Sequence, residues 1–135
     1  REVILRSMQE LCDLSESLYN PFNRLELHQL RISAKRLRYA IELFTVCWND
    51  KIQPFAKEVS EMQTFLGEVH DNDIWIENLS QRLSKEKSDK QHTDFWLLSK
   101  FTKKRTKNYR AALHLWSKWA KKNFMKRLHK VISAN

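Results

Sequence analysis

Apolar residues recur every three to four positions along most of the chain, and segment 27–44 carries the clearest example. At 100° per residue one side of this segment is apolar, which predicts an amphipathic helix rather than a strand. That side contains Leu30, Ala34, Leu37, Ile41, Phe44 and Trp48. The same period predicts helices over 2–19, 22–48, 54–66, 71–83 and 93–132, with a break allowed in the last.

Local signals predict where these helices end. Gly67, the only glycine, follows an apolar run and predicts a left-handed C-cap. Asp71 or Asn72 would then cap the start of the next helix. Pro54 suits the first turn of the third helix. The polar segment 84–91 has no periodicity and is predicted to be a loop.

The composition narrows the fold class. The chain has 135 residues, of which 41% are hydrophobic, so it can form one domain with a core. One glycine and two prolines are too few for the turns of a sheet protein, which predicts an all-α fold. The chain begins with Arg1 rather than Met, which suggests a piece of a longer protein.

The sequence also argues against several protein classes. No apolar run approaches the roughly 18 to 20 residues of a membrane span, and no signal-peptide pattern opens the chain. No membrane partner is therefore expected. Cys12 and Cys47 lack metal-binding spacing, so free thiols in a reduced, cytoplasmic protein are expected.

Charge is distributed unevenly along the chain, whose net charge is +9. Residues 1–94 contain 13 Lys and Arg against 16 Asp and Glu, whereas residues 95–135 contain 12 Lys and Arg and no acid. Solubility does not require this division, whereas an anionic partner would explain it.

Two helices combine an apolar side with a basic one. On the second helix, His28, Arg31, Lys35 and Arg38 share a side, and Glu42 is the first acid there. The last helix has a basic side within roughly 120° that extends about 30 Å. It contains Lys100, Lys103, Lys104, Lys107, Arg110, His114, Lys118, Lys121 and Lys122. The like charges within each row repel one another unless an anion binds beside them. An ordinary solvent-exposed surface is the alternative explanation for the lysines.

Catalysis has little support in the sequence. One glycine cannot build a phosphate-binding loop, and no serine or cysteine lies in a nucleophile motif. His70 and Asp71 leave open a metal-dependent phosphohydrolase, but further ligands would be needed and neighbouring cations would disfavour a metal. The prediction is a non-enzymatic protein without a metal or cofactor.

Segment 27–44 resembles the signature of the CHAD family, the conserved histidine α-helical domain. The matching residues are His28, Leu30-Arg31, Lys35-Arg36-Leu37-Arg38-Tyr39 and Ile41-Glu42-Leu43-Phe44. A second signature of the family is matched by Leu66-Gly67, His70-Asp71 and Ile74. The resemblance covers roughly residues 22–130 and is closest to the second of the family's two helical bundles.

The resemblance implies two four-helix bundles around a basic cavity that binds inorganic polyphosphate. Residues 22–132 would form one antiparallel four-helix bundle with a long C-terminal helix. The additional N-terminal helix, 1–20, would be a linker to a preceding bundle or a remnant of it. Because one signature copy is present, the second bundle would come from the same protein or from a homodimer. Association with polyphosphate granules is expected.

Polyphosphate would lie in a groove between the 22–48 and 93–132 helices. Arg31 and Arg38 suit bidentate phosphate contacts, and lysines add charge. The predicted contacts are His28, Arg31, Lys35, Arg38, Lys103, Lys107, Arg110 and His114. Further candidates are Arg36, Tyr39, His70, Lys100 and Lys104. The two histidines of the first group would add charge below about pH 6.5. An RNA-binding helical module is the alternative, although the aromatic residues lie mainly on the apolar side.

Overall fold

The computed structural model describes residues 1–85 and 91–134, with the side chains of Trp48 and Asn49 excepted. These residues form an all-helical structure, and no strand occurs among them. The α-helices are α1 (Glu2–Leu14), α2 (Arg24–Leu43), α3 (Thr45–Trp48), α4 (Gln53–Lys85), α5 (Gln91–Lys121) and α6 (Phe124–Ser133). Two 3-10 helices, Ser15–Tyr19 and Asn49–Lys51, lie between them.

Helix α2 packs on α1 and on α4, and α4 packs in turn on α5. The interior is formed by the apolar sides that the 3.6-residue period predicted, together with α1 and α6. Its largest fully buried side chains are Phe124, Ile4, Leu11, Leu18, Leu30, Leu37, Ile41, Ile52, Met62, Leu66, Leu128 and Ile132. Helix α1 therefore shares one core with the segment predicted to form the bundle.

The predicted break at Gly67 is wrong, because α4 runs continuously through it. No described glycine has a positive φ, so Gly67 is not a left-handed cap. The predicted caps are wrong as well: Asn72 is buried within α4, where its Nδ2 donates to the Glu68 carbonyl at 2.7 Å. Core residues continue at helical spacing on both sides of Gly67, and their burial outweighs the roughly 1 kcal/mol helix penalty of one glycine.

Other boundaries differ less from the prediction. Helix α2 ends at Leu43, and the Thr45 hydroxyl donates to the Ile41 carbonyl at 2.9 Å just after that end. Ser84 and Lys85 still belong to α4 rather than to the predicted loop, whose residues 86–90 lie outside the described part. The allowed break in the last helix is confirmed at Asn123, whose φ of 53° is left-handed.

Three contacts show that α4 and α5 are antiparallel. Arg82 of α4 pairs with Asp94 of α5, Trp75 stacks on Phe101, and Asp73 pairs with Arg105. None of the helices within 1–85 and 91–134 has the length and apolar character to cross a membrane.

Candidate functional site

The basic row of α2 lies along the line where this helix meets α4. The His28 ring stacks on the His70 ring with 4.0 Å between centroids and an interplanar angle of 18°. One turn further along α2, the Arg31 side chain passes over Gly67. His28 and Arg31, predicted to lie together, are therefore accompanied by His70, which was predicted as a further candidate contact.

Gly67 makes this close approach possible. A Cβ atom built on Gly67 would lie 3.3 Å from the Arg31 Nε, closer than ordinary van der Waals contact. The absent side chain thus leaves the space that the Arg31 guanidinium group occupies beside α4. This contact, rather than a helix end, is the structural reason for the glycine.

Several polar atoms along this line are buried without a hydrogen-bond partner in the described part of the chain. They are the His28 Nδ1, Arg31 Nε and Arg38 Nε atoms of α2, and the Gln63 Oε1 atom of α4. Gln63 lies one turn before Gly67, on the same side of α4. A buried polar atom without a partner costs about 1–3 kcal/mol. Three of these four atoms belong to residues of the predicted binding row.

Acidic residues occur at both ends of the row. At the start of α2, the Arg24 Nη2 donates to Glu77 at 2.9 Å, and its Nε lies 3.9 Å from Asp73. At the other end, the Arg38 Nε lies 3.5 Å from the Glu42 carboxylate. Between these ends, Arg31 and Lys35 form no ion pair with another described residue. The middle of the row is thus the part with uncompensated positive charge.

The charge of His28 differs from the expectation. Burial is the main cause that lowers the pKa of His28 below its ordinary value of 6.5, and the neighbouring His70 and Arg31 lower it further. The protonated form of His28 is therefore less favourable in the free protein than in a solvent-exposed histidine.

Two further candidate residues of α2, Tyr39 and Arg36, lie in different surroundings. Tyr39 is 48% exposed, and both the Lys35 Nζ and the Arg38 guanidinium lie over its ring, 5.7 and 4.7 Å from the ring centroid. Tyr39 therefore borders the row. Arg36 instead points toward α1, where its Nη1 lies 3.9 Å from Glu10. Its side chain belongs to the α1 side of α2.

The basic row of α5 lies on a different surface. Its residues Lys100, Lys103, Lys104, Lys107, Arg110 and His114 are all exposed. The opposite side of α5 faces α4, where Phe101 stacks on Trp75 and Arg105 donates to the Asp73 carboxylate. Because α2 and α5 both pack along α4, the two basic rows are on helices that α4 separates.

Sequence reasoning missed a buried ion-pair network beside this site. The Asp73 carboxylate is nearly buried and accepts a hydrogen bond from Arg105, which also donates to the Pro21 carbonyl. This network attaches α5 and the connection before α2 to α4. The sequence did contain a signal for it, because Asp73 lies one helical turn after the apolar Val69 and so falls on the buried side of the helix.

Asp71, the second residue of the possible phosphohydrolase pair, is exposed on α4. Within residues 1–85 and 91–134, no three His, Cys, Asp or Glu side chains approach closely enough to bind a metal ion. The stacked rings of His28 and His70 are thus not accompanied by a third ligand in that part of the chain.

Comparison with known proteins identifies the family of the chain. The sequence model of the CHAD domain matches residues 1–80. The chain belongs to the CHAD family. The match includes α1, the basic row of α2 and the part of α4 that carries Gly67 and His70, whereas the resemblance noted from the signatures was placed at 22–130. No curated protein and no solved structure matches the chain.

Proposed function

We propose that this CHAD protein binds inorganic polyphosphate, without catalysing a reaction, along the line where α2 meets α4. The observation that carries the proposal is the Arg31 side chain beside Gly67, next to the stacked pair of His28 and His70. This arrangement places the positive charge of Arg31, which no described acid pairs, beside two histidine rings. An extended polyanion would compensate that charge.

Polyphosphate offers only phosphate oxygens, which accept hydrogen bonds and carry about one negative charge per unit. The guanidinium groups of Arg31 and Arg38 suit such oxygens because their N–H groups form a planar fork. The Lys35 ammonium group adds charge without fixed direction.

Helix α4, rather than α5, would form the second wall of the groove beside α2. Gly67 leaves space in this wall next to Arg31, and Gln63 and His70 lie one turn on either side of the glycine. Lys103, Lys107, Arg110 and His114 of α5 lie on another surface, where they would add long-range attraction for a polyanion. We further propose that α1, α2, α4 and α5 act as the bundle, and that a second CHAD bundle covers the groove.

The experiment compares two variants that each remove two positive charges. Arg31→Ala with Arg38→Ala removes the proposed phosphate contacts. Arg6→Ala with Arg36→Ala is the matched control, because both arginines are exposed and lie near Glu10 instead. Exposed ion pairs of this kind contribute only about 0–1 kcal/mol, so the control should remain folded.

Binding of long-chain polyphosphate is measured by titration calorimetry, and folding by circular dichroism. We expect the first variant to lose at least about tenfold in affinity, since hydrogen bonds to charged groups contribute about 1.5–3 kcal/mol each. The control should lose much less. A folded Arg31→Ala, Arg38→Ala protein with full affinity would refute this site.

A further inference from the structure

An exposed tryptophan lies at the beginning of the α5 basic row. The side chain of Trp96 is 60% exposed, and the Lys100 Nζ lies 5.1 Å from the centroid of its ring. At 100° per residue, Trp96 falls on the same side of α5 as Lys100, Lys103 and Lys107. The row is thus not purely cationic, because it starts with a large aromatic surface that solvent can reach.

This surface follows one continuous helix, on the side opposite the contacts with α4. Helix α5 is continuous from Gln91 to Lys121, and its other side carries the contacts of Phe101 and Arg105 with α4. From Trp96 to Arg110 the row extends about 21 Å at 1.5 Å per residue. No acid occurs between residues 95 and 135, so nothing in this segment neutralises the lysines.

We propose that the row from Trp96 to Arg110 binds single-stranded nucleic acid. An aromatic ring stacks on a base, and cations that follow it along a groove or helix contact successive phosphates. Lys100 can remain over one face of the Trp96 indole while a base stacks on the other, since aromatic faces attract cations. Bases in a duplex are already stacked on each other, and the single strand is therefore the form that offers a free base.

The exposed indole favours single-stranded nucleic acid over polyphosphate as the ligand of this row. Polyphosphate has no bases, so Trp96 contributes nothing specific to its binding, whereas the positive charges would attract either polymer. The proposed nucleic-acid surface is also distinct from the α2–α4 line, which carries no comparable exposed ring other than Tyr39 among its described residues. The two proposals can therefore fail separately.

Trp96→Ala tests the proposal, and Phe95→Ala is its matched control. Phe95 is the adjacent residue and is 58% exposed, nearly as much as Trp96, but it lies 100° from Trp96 around the helix and outside the row. Binding of fluorescent twelve-residue oligothymidylate and oligouridylate is measured by anisotropy at low salt. We expect Trp96→Ala to reduce affinity about 5- to 150-fold, the usual effect of losing one stacked base, and Phe95→Ala to leave it nearly unchanged.

An abasic strand of the same length and charge provides the second comparison. The unmodified protein should bind it more weakly than oligothymidylate, and Trp96→Ala should remove that difference. Polyphosphate affinity should be the same in both variants, which separates this result from the Arg31 and Arg38 test. The proposal would be overturned if Trp96→Ala and Phe95→Ala lost affinity equally, or if the unmodified protein bound the abasic and the base-containing strand equally well. Tighter binding of either the DNA or the RNA strand than of the abasic strand supports it.

Discussion

At the scale of single residues, Gly67 has two opposing effects on the protein. A glycine inside a helix costs about 1 kcal/mol relative to alanine. The same glycine leaves room for the Arg31 side chain, since a Cβ there would lie 3.3 Å from Nε. The residue therefore weakens α4 locally and allows the arrangement that we assign to phosphate binding.

Gly67→Ala should separate these effects. We expect the free energy of unfolding to rise by up to about 1 kcal/mol, because α4 gains helix propensity and the flexible end of Arg31 can shift by a few tenths of an ångström. Polyphosphate affinity should fall several-fold, since that shift moves the guanidinium group. Chemical denaturation and calorimetric titration measure the two quantities.

Ser80→Ala is the control for this change, because Ser80 is an exposed residue of the same helix more than three turns from Gly67. It should increase stability slightly without changing polyphosphate affinity. If Gly67→Ala bound polyphosphate as tightly as Ser80→Ala does, the close approach of Arg31 would have no role in binding.

His28 gives a prediction about pH. Its folded-state pKa lies below the ordinary value of 6.5, chiefly because of burial and then because of His70 and Arg31. At a pH between the folded-state and the unfolded-state pKa of His28, the unfolded chain binds more protons than the folded protein. The contribution of His28 to stability is therefore fully present above pH 6.5 and is lost as the pH falls through the folded-state pKa. A phosphate beside the ring would favour its protonated form, and polyphosphate affinity should therefore rise over the same interval.

Denaturation and polyphosphate titration at pH 7.5 and 5.5 measure these two trends. His28→Gln keeps a polar side chain that cannot titrate, so the difference between the unmodified protein and this variant isolates His28 from the other histidines. We expect the unmodified protein to lose more stability and to gain more affinity on acidification. Identical pH responses in both proteins would contradict the assigned role of His28.

At the scale of helices, apolar periodicity predicted the presence of the helices well but not all of their ends. Val59, Met62, Leu66 and Val69 continue one pattern across Gly67, and burial of that pattern determines the result. The local signals at 67–72 would also suit a cap and a new helix. They were misleading because the reason for the glycine lies in α2, where Arg31 approaches, and sequence spacing does not report that contact.

Contacts between helices were also the part of the candidate site that the sequence did not predict. The period of α2 correctly placed His28 and Arg31 together, since residues three apart share a helix face. It did not place His70 against His28, because that contact depends on how α2 and α4 align. The period of α5 places Trp96 on the basic side of that helix, although most of its other aromatic residues lie on the apolar side.

At the scale of the whole molecule, positive charge occurs on two helices that both pack on α4, and each surface has its own chemistry. The α2–α4 line combines charge with buried donors, whereas the α5 row combines charge with an exposed indole. Counterion release makes binding of a polyanion weaken with salt, with a slope that increases with the number of phosphate contacts. The slope therefore reports which charges touch the ligand rather than the net charge of the protein.

We expect Arg31→Ala with Arg38→Ala to reduce the slope of log affinity for polyphosphate against log salt by about two, one for each lost contact. Lys126→Ala with Lys130→Ala removes the same charge from exposed positions on α6 and should leave the slope nearly unchanged. Titrations at four or more sodium chloride concentrations measure it. Equal reductions in the two variants would mean that polyphosphate responds to total charge, because a localised site cannot lose contacts at positions it does not touch.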